Sequence, residues 1–285
     1  LGMPVFDAVC HTFAAISTGG FSTRNESVAY YQSAAIDWWL ILFMTLGAIN
    51  FMLYAWLLAG RWNRWKQDGE TRVFLWILAV ASAIITADIL SDGKVFGLAG
   101  GFRAAAFQVV SIMTTTGFVT ADFDKWPNLS RGILVALMFV GGCAGSTAGG
   151  VKVVRVMAFF KTVRRQMIHA FRPNQIIPVR LNGAPVSDAY LLDVMFFLAL
   201  TAFVVAGGTL TVAALEPQIS LLSSFTAVSA TLFNIGPGLG AVGPMANFAG
   251  LGAATHLALS ALMIMGRLEF FPILVLFVPK LWKRY

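Results

Sequence analysis

The chain has 285 residues, 58% of them hydrophobic and only 12% charged, with a formal net charge of +7 at neutral pH. Soluble domains carry about a quarter charged residues, so this composition excludes a soluble enzyme, a disordered tail and, with two Cys, a disulfide-stapled secreted domain. In an integral membrane protein the positive balance reads as Lys and Arg on the cytoplasmic side, and no basic run of domain size argues for nucleic acid.

In chain order, Phe6 to Ile16 is a short apolar run that ends in Ser17-Thr18-Gly19-Gly20-Phe21. Trp38 to Gly60 is uncharged and long enough to cross a bilayer, which needs about 20 apolar residues. Val73 to Leu90 carries only Asp88. Phe102 to Met113 is a second short run, ending in Thr114-Thr115-Thr116-Gly117-Phe118, and Gly132 to Val151 is again uncharged. A polar, basic insert occupies residues 161–187, and Val194 to Leu215 is a further crossing. Pro217 to Gly266 carries no formal charge but is too long for one span. Pro237 and the glycines at 236, 238, 240 and 243 divide it into a short piece, Ile219 to Phe233, and a helix from about Leu251. Pieces that short read as re-entrant half-helices.

The predicted fold is therefore an all-α integral membrane protein of repeated helix–re-entrant loop–helix units. The units are a partial one at 1–66 and complete ones at 67–168 and 169–285. Gly19, Gly117 and Gly236 stand at matched places, 98 and 119 residues apart. Topology follows from charge. Arg61, Arg64, Lys66 and Arg72, the basic residues from Lys152 to Arg180, and Lys280, Lys283 and Arg284 fall on one side. Arg24, Lys94, Arg103, Lys125 and Arg131 fall on the other, so the first set is cytoplasmic and all three half-helices enter from outside.

Non-helical backbone at membrane depth is tolerated only when buried in protein or lining a watery cavity. Three bends on one axis would let carbonyl oxygens replace the hydration shell of an ion. Glycine permits the bend, and half-helix C-termini favour a cation. Ser17-Thr18, Thr115-Thr116 and Asn234-Ile235 bring no charge, which suits a monovalent cation. Ordinary Gly/Thr helix packing is the alternative.

These residues are familiar. Ile16 to Ser22, Met113 to Phe118 and Asn234-Ile235-Gly236-Pro237-Gly238 resemble the filter loops of the Trk/Ktr/HKT superfamily of potassium transporters. Gly141-Gly142-Cys143-Ala144-Gly145-Ser146-Thr147-Ala148-Gly149-Gly150, running on to Arg155, looks like the intramembrane gating loop of its bacterial TrkH branch. Met265 to Phe271 looks like the last pore-lining helix. The resemblance implies potassium held at filter carbonyls of Ser17, Thr18, Gly19, Gly20, Thr115, Thr116, Gly117, Phe118, Asn234, Ile235, Gly236 and Pro237. It also implies a gate at Gly141, Gly142, Gly145, Ser146, Thr147, Gly149, Gly150 and Arg267. The family arrangement is a pseudo-fourfold pore of four units, so the chain reads as N-terminally truncated, without the first unit and part of the second. The implied setting is multi-pass in the cell inner membrane, as a homodimer. A cytoplasmic, nucleotide-binding, TrkA-like subunit would dock on the basic segment Lys161 to Arg180 and bring any NAD or ATP; anionic lipid is the alternative reading of that charge.

Other patterns lead elsewhere. Gly141–Gly150 lacks the Gly-Lys-Ser/Thr of a phosphate loop, and its small residues are expected to leave helical geometry beneath the bends, near Arg267. Gly238 to Gly243 spells a dinucleotide fingerprint without a preceding strand. Arg267 is a costly charge in an apolar helix, either facing the pore or snorkelling to the inner interface. Glu269, two residues on, faces away from it. His11, His169 and His256 have no ligand spacing, and Cys10 and Cys143 read as buried inert thiols. Asp88, Asp92 and Asp122 lie near the outer mouth, as cation attractors or solvated surface. No nucleophile–base pair points to an enzyme. The alternatives to potassium transport are a sodium-permeable transporter and a non-conducting or incomplete pore-forming subunit.

Overall fold

The computed structural model describes residues 2–93, 97–175, 177–268, 270–276 and Trp282. Expectations resting on Lys94, Glu269, Lys280, Lys283 and Arg284 fall outside these residues. The chain begins with α1 (Val5–Ile16), α2 (Ala34–Gly47), α3 (Phe51–Leu58) and the short basic α4 (Trp62–Gln67). α5 (Gly69–Ser91), α6 (Leu98–Met113), α7 (Asn128–Met138) and α8 (Val153–Phe171) follow. A two-residue hairpin, β1 (Arg180–Leu181) and β2 (Ala184–Pro185), leads to α9 (Asp188–Leu215), α10 (Leu221–Leu232), α11 (Ala253–Leu268) and α12 (Phe270–Leu276).

α5 and α9 are long and apolar enough to cross a membrane unaided, and the chain is a multi-pass membrane protein. The expected crossing from Trp38 to Gly60 is not one straight helix: α2 and α3 meet at 90°. The bend is held from both sides. The Asn50 side chain accepts the Met52 N–H and so caps α3. The carbonyls left free at Ala48 and Gly47 accept from Cys143 N–H at 2.9 Å and Thr147 N–H at 3.3 Å, far along the chain. A helix end needs such partners, and tertiary contacts supply them. The expected span from Gly132 to Val151 is likewise interrupted, because α7 stops at Met138 and residues 139–152 are irregular.

α6 and α10 are the most enclosed helices. Every residue of α6 from Ala104 to Met113 is buried, as is every residue of α10 from Thr226 to Leu232. α6 is rich in Ala and Gly and α10 in Ser, Thr and Ala, small residues that let neighbouring backbones approach closely. α6 is surrounded by α2, α5 and α7, and α10 by α9 and α11. α1 differs: Asp7, His11, Ala14 and Ala15 are buried, while Phe6 is 72% and Phe13 70% exposed.

On the side assigned to the cytoplasm, β1 and β2 pair antiparallel, Arg180 opposite Pro185 and Leu181 opposite Ala184. The connecting Asn182-Gly183 has φ of 46° and 83°, the doubly positive pair of a type I′ turn. Val179 and Leu181 join Ala158, Leu191 and Val194 in a small apolar cluster that seats the hairpin between α8 and α9.

Candidate ion-binding site

α1, α6 and α10 end in the same backbone conformation. At the first end Thr18 has φ 51° and Gly20 φ 66°; at the second Thr115 has 57° and Gly117 82°; at the third Asn234 has 56° and Gly236 111°. The hydrogen bonds repeat as well. Gly19 and Gly20 N–H both point to Ala14 O (2.8 and 3.4 Å), Thr116 and Gly117 N–H to Ser111 O (2.9 and 3.2 Å), and Ile235 and Gly236 N–H to Ala230 O (2.8 and 3.4 Å). The equivalent glycines are therefore Gly20, Gly117 and Gly236, at intervals of 97 and 119 residues. This corrects the expected match of Gly19 with Gly117: Gly19 aligns with Thr116 and Ile235, and its φ is not positive. Thr18 and Thr115 are β-branched residues held left-handed, a strained state that persists only where the surroundings enforce it.

The three bends lie edge to edge in chain order. A Cβ on Gly20 would stand 1.7 Å from Thr116 O, and one on Gly117 1.8 Å from Ile235 O. Only glycine admits a neighbouring carbonyl so closely. Beyond Gly236 the nearest described atom to such a Cβ is Gly117 Cα, at 4.0 Å. Three half-helix C-termini thus gather their carbonyl ends, and their partial negative charge, in one place. No acidic side chain belongs to any bend.

The irregular segment 139–152 lies against all three. Thr147 Oγ1 is 2.9 Å from Ile16 O, which it can reach as donor, and 3.0 Å from Gly47 O. Gly149 N–H donates to Thr115 Oγ1 at 2.6 Å. A Cβ on Gly149 would lie 2.7 Å from Phe233 O. The segment closes on itself through Gly141 N–H to Val151 O at 2.8 Å and Val153 N–H to Gly142 O at 3.1 Å. Within it, Ser146 Oγ donates to Cys143 O, and Lys152 Nζ donates to Ala148 O. Gly145 has φ 72° and its O accepts from Phe51 N–H, placing it in the α2–α3 break. Arg267, in the last turn of α11, donates from its guanidinium to Thr147 O at 3.1 Å. Gly266 beside it lets α11 touch the end of α10, since a Cβ there would be 1.6 Å from Leu232 O.

Two residues of this constellation carry no motif in the sequence. Glu70 is 4% exposed and accepts the N–H groups of Ala144, within the segment, and Val154, just after it, at 2.8 and 3.0 Å. The signal available was an acid in the first turn of an apolar helix, behind the capping residue Asp68. His11 is buried, donates from Nδ1 to Asp7 O, places Nε2 2.9 Å from Ser22 Oγ, and stacks on Phe118 at 5.5 Å, so it buttresses the first two bends. Asp7 accepts from Tyr31, Thr23 and Arg24 and pins the strand leaving the first bend.

The outer acids have structural partners. Asp88 accepts from Ser130 N–H and Oγ at the start of α7, and Asp122 pairs with Lys125 at 2.9 Å. That pairing raises the Lys125 ammonium above its usual range. Glu216, just past α9, is held below the usual carboxylate range by hydrogen bonds from Thr255 at 2.7 Å and from Gly252 N–H. The string Gly238 to Gly243 contains a 3₁₀ turn (Gly240–Val242) after α10, with no strand before it. Among the described residues no group of three or more His, Cys, Asp or Glu is placed to hold a metal ion.

The family model described as "TrkH: Cation transport protein" matches residues 2–284. The Trk system potassium uptake protein TrkH of Salmonella typhimurium is 36% identical over 283 residues, covering 99% of this chain and 58% of its own length. The Trk system potassium uptake protein TrkG of Escherichia coli is 32% identical over 285 residues, covering 99% and 57%. The crystal structure of the potassium transporter TrkH from Vibrio parahaemolyticus superposes with a TM-score of 0.90 at 34% identity, over 99% of this chain and 60% of that one. The chain spans somewhat more than half the length of these relatives.

Proposed function

We infer a role in potassium uptake from one premise: the chain belongs to the TrkH family of cation transport proteins. That family transports ions rather than catalysing a reaction, and the chain is a multi-pass protein of the cell inner membrane. The ion is the cargo. It would pass the three bends, where backbone carbonyls from Ser17 to Gly20, Thr115 to Phe118 and Asn234 to Pro237 stand in for water. The observation that carries this reading is the shared backbone of the bends, with left-handed Thr18, Thr115 and Asn234 each two residues before a glycine. Uncharged donors and three helix C-termini suit a monovalent cation. A fourfold filter requires a fourth bend, between Gly236 and the first.

Beneath it, the segment Gly141–Gly150 and Arg267 form the gate, a guanidinium and a narrow irregular strand under a cation path. The units 1–66, 67–168 and 169–285 each contribute one bend. A TrkA-like, nucleotide-binding cytoplasmic subunit would control the gate, and two copies of the transporter would form a homodimer.

The test is ion flux in reconstituted vesicles, with the chain in the form the cell makes. Potassium should move in preference to sodium. Gly117→Ser should lower that preference about tenfold or more, since a side chain here collides with Ile235 O and the bend must shift. Unchanged selectivity in the folded variant removes the filter assignment. Equal sodium flux in the unaltered protein favours the sodium-permeable alternative, and flux of neither ion the non-conducting or incomplete subunit.

A further inference from the structure

The first residues of α5 hold partners on two sides. On the cytoplasmic side Asn182, at the tip of the hairpin, donates from Nδ2 to Asp68 Oδ1 at 2.8 Å. Its Oδ1 accepts the Gly69 N–H at 3.0 Å. The other Asp68 oxygen caps its own helix, accepting Thr71 N–H at 2.7 Å. On the membrane side Glu70 Oε1 takes the N–H groups of Ala144 and Val154. Val154 lies in the first turn of α8, whose N–H groups have no partner within their own helix. A carboxylate from another helix serves it and adds a negative charge where the helix favours one.

Three consecutive residues thus grip the hairpin on one side and, on the other, the irregular segment at Ala144 and the start of α8 at Val154. The hairpin follows directly on the basic stretch Lys161 to Arg180, and Lys161 Nζ donates to Arg180 O at 2.7 Å. Its Leu181 and Val179 also pack on Ala158 of α8. The basic stretch is thus joined to segment 139–152 along α8 and, separately, to α5 through the hairpin.

We propose that Asp68-Gly69-Glu70 is a positioning element that ties the cytoplasmic hairpin to segment 139–152, so that lifting the hairpin off Asp68 and Gly69 loosens the segment at Ala144 and Val154. Its consequence for conduction rests on the gate reading above; the tie itself does not.

The protein carries its own reporter. Cys143 is fully buried inside the segment, with Sγ 4.0 Å from Thr71 Oγ1, next to Glu70. With Cys10→Ser as background, Cys143 is the sole thiol. Full chain in vesicles is treated with N-ethylmaleimide and the alkylation rate at Cys143 is followed by mass. A buried thiol reacts only through local opening, so the rate reads how often the segment loosens. Glu70→Ala should raise it about tenfold or more, because two N–H groups lose their acceptor. Glu70→Gln keeps an acceptor oxygen and should stay within about twofold of the background protein. Asn182→Gly keeps the turn, which favours glycine, and removes only the side chain; it should raise the rate several-fold. The double variant should react no faster than Glu70→Ala alone, as expected of two links in one tie.

A Cys143 rate unmoved by Asn182→Gly overturns the proposal, since the hairpin is then not coupled. So does a Glu70→Gln rate as high as that of Glu70→Ala, because packing rather than the acceptor then holds the segment. Should Glu70→Ala fail to fold, Asn182→Gly and Glu70→Gln decide alone. Basal potassium flux on the same samples separates the two readings. Faster labelling with unchanged flux keeps the tie and removes the gate, whereas changed flux with unchanged labelling removes the tie.

Discussion

At Gly20 an added Cβ meets a backbone oxygen of the next bend at 1.7 Å with φ at 66°; at Gly19 it meets only the side chains of Ser17 and Phe21, at 3.2 and 3.4 Å. Two identical neighbours therefore differ sharply in tolerance. Gly20→Ala should destabilise the protein by about 2 kcal/mol or more, combining a left-handed Ala with a backbone collision, and Gly19→Ala by less than about 1 kcal/mol. Thermal unfolding of the two variants in detergent checks this, and equal losses would return Gly19 to the matched position. The glycine doublet was legible in the sequence, but its register was not, since either glycine can serve until the hydrogen bonds to Ala14 O are known. Glu216 gives a second test at this scale. Thr255 and Gly252 hold its carboxyl below the usual range. Its stabilisation is thus full above the ordinary carboxylate pKa and is lost as pH falls through the depressed folded value. Glu216→Gln should flatten the acid side of a plot of melting temperature against pH and leave its slope near neutrality unchanged.

The elements divide by how local their causes are. The short helices α1, α6 and α10 were readable because apolar runs stop at Gly-bearing bends, and their ends fall within a few residues of the expected ones. The break between α2 and α3 was not. Nothing at Ala48-Ile49-Asn50 forbids a straight helix, and the bend depends on Cys143 and Thr147 from a segment about a hundred residues away. The hairpin was missed for a different reason: Asn182-Gly183 is a strong turn signal, hidden in a stretch weighed only for its charge. The irregularity of 139–152 follows from its own composition, since glycine and small hydroxyl residues each disfavour a helix by up to about 1 kcal/mol. Thr147 O is the contact between that segment and Arg267. Deleting several residues between Gly141 and Gly150, or replacing Arg267→Ala, should raise basal potassium flux in the absence of any cytoplasmic subunit. Wild-type basal flux in both folded variants would place the gate elsewhere.

Over the whole molecule, the longest basic stretch lies on α8 and the residues after it. The basic residues of α8 and the stretch after it extend beyond the apolar spans, with the hairpin packed against them. A TrkA-like subunit should lose about tenfold or more in affinity when residues 161–180 are neutralised, because several surface charge contacts disappear together. A pull-down indifferent to that change, paired with unchanged binding to anionic vesicles, would remove the segment from both roles. Membrane class could be read from composition, whereas the order of the bends around the site could not, because it depends on which glycine receives which carbonyl. That order also bears on biogenesis. The first two bends are each completed by the one that follows: Gly20 meets Thr116 O, and Gly117 meets Ile235 O. Synthesis proceeds from the N-terminus, so the ribosome delivers the closing atom for each of these two bends later than the bend itself. A nascent chain halted before Ile235 could seat its first two bends together but would leave Gly117 facing no carbonyl, and quality control would meet the site unfinished until the last helices had emerged.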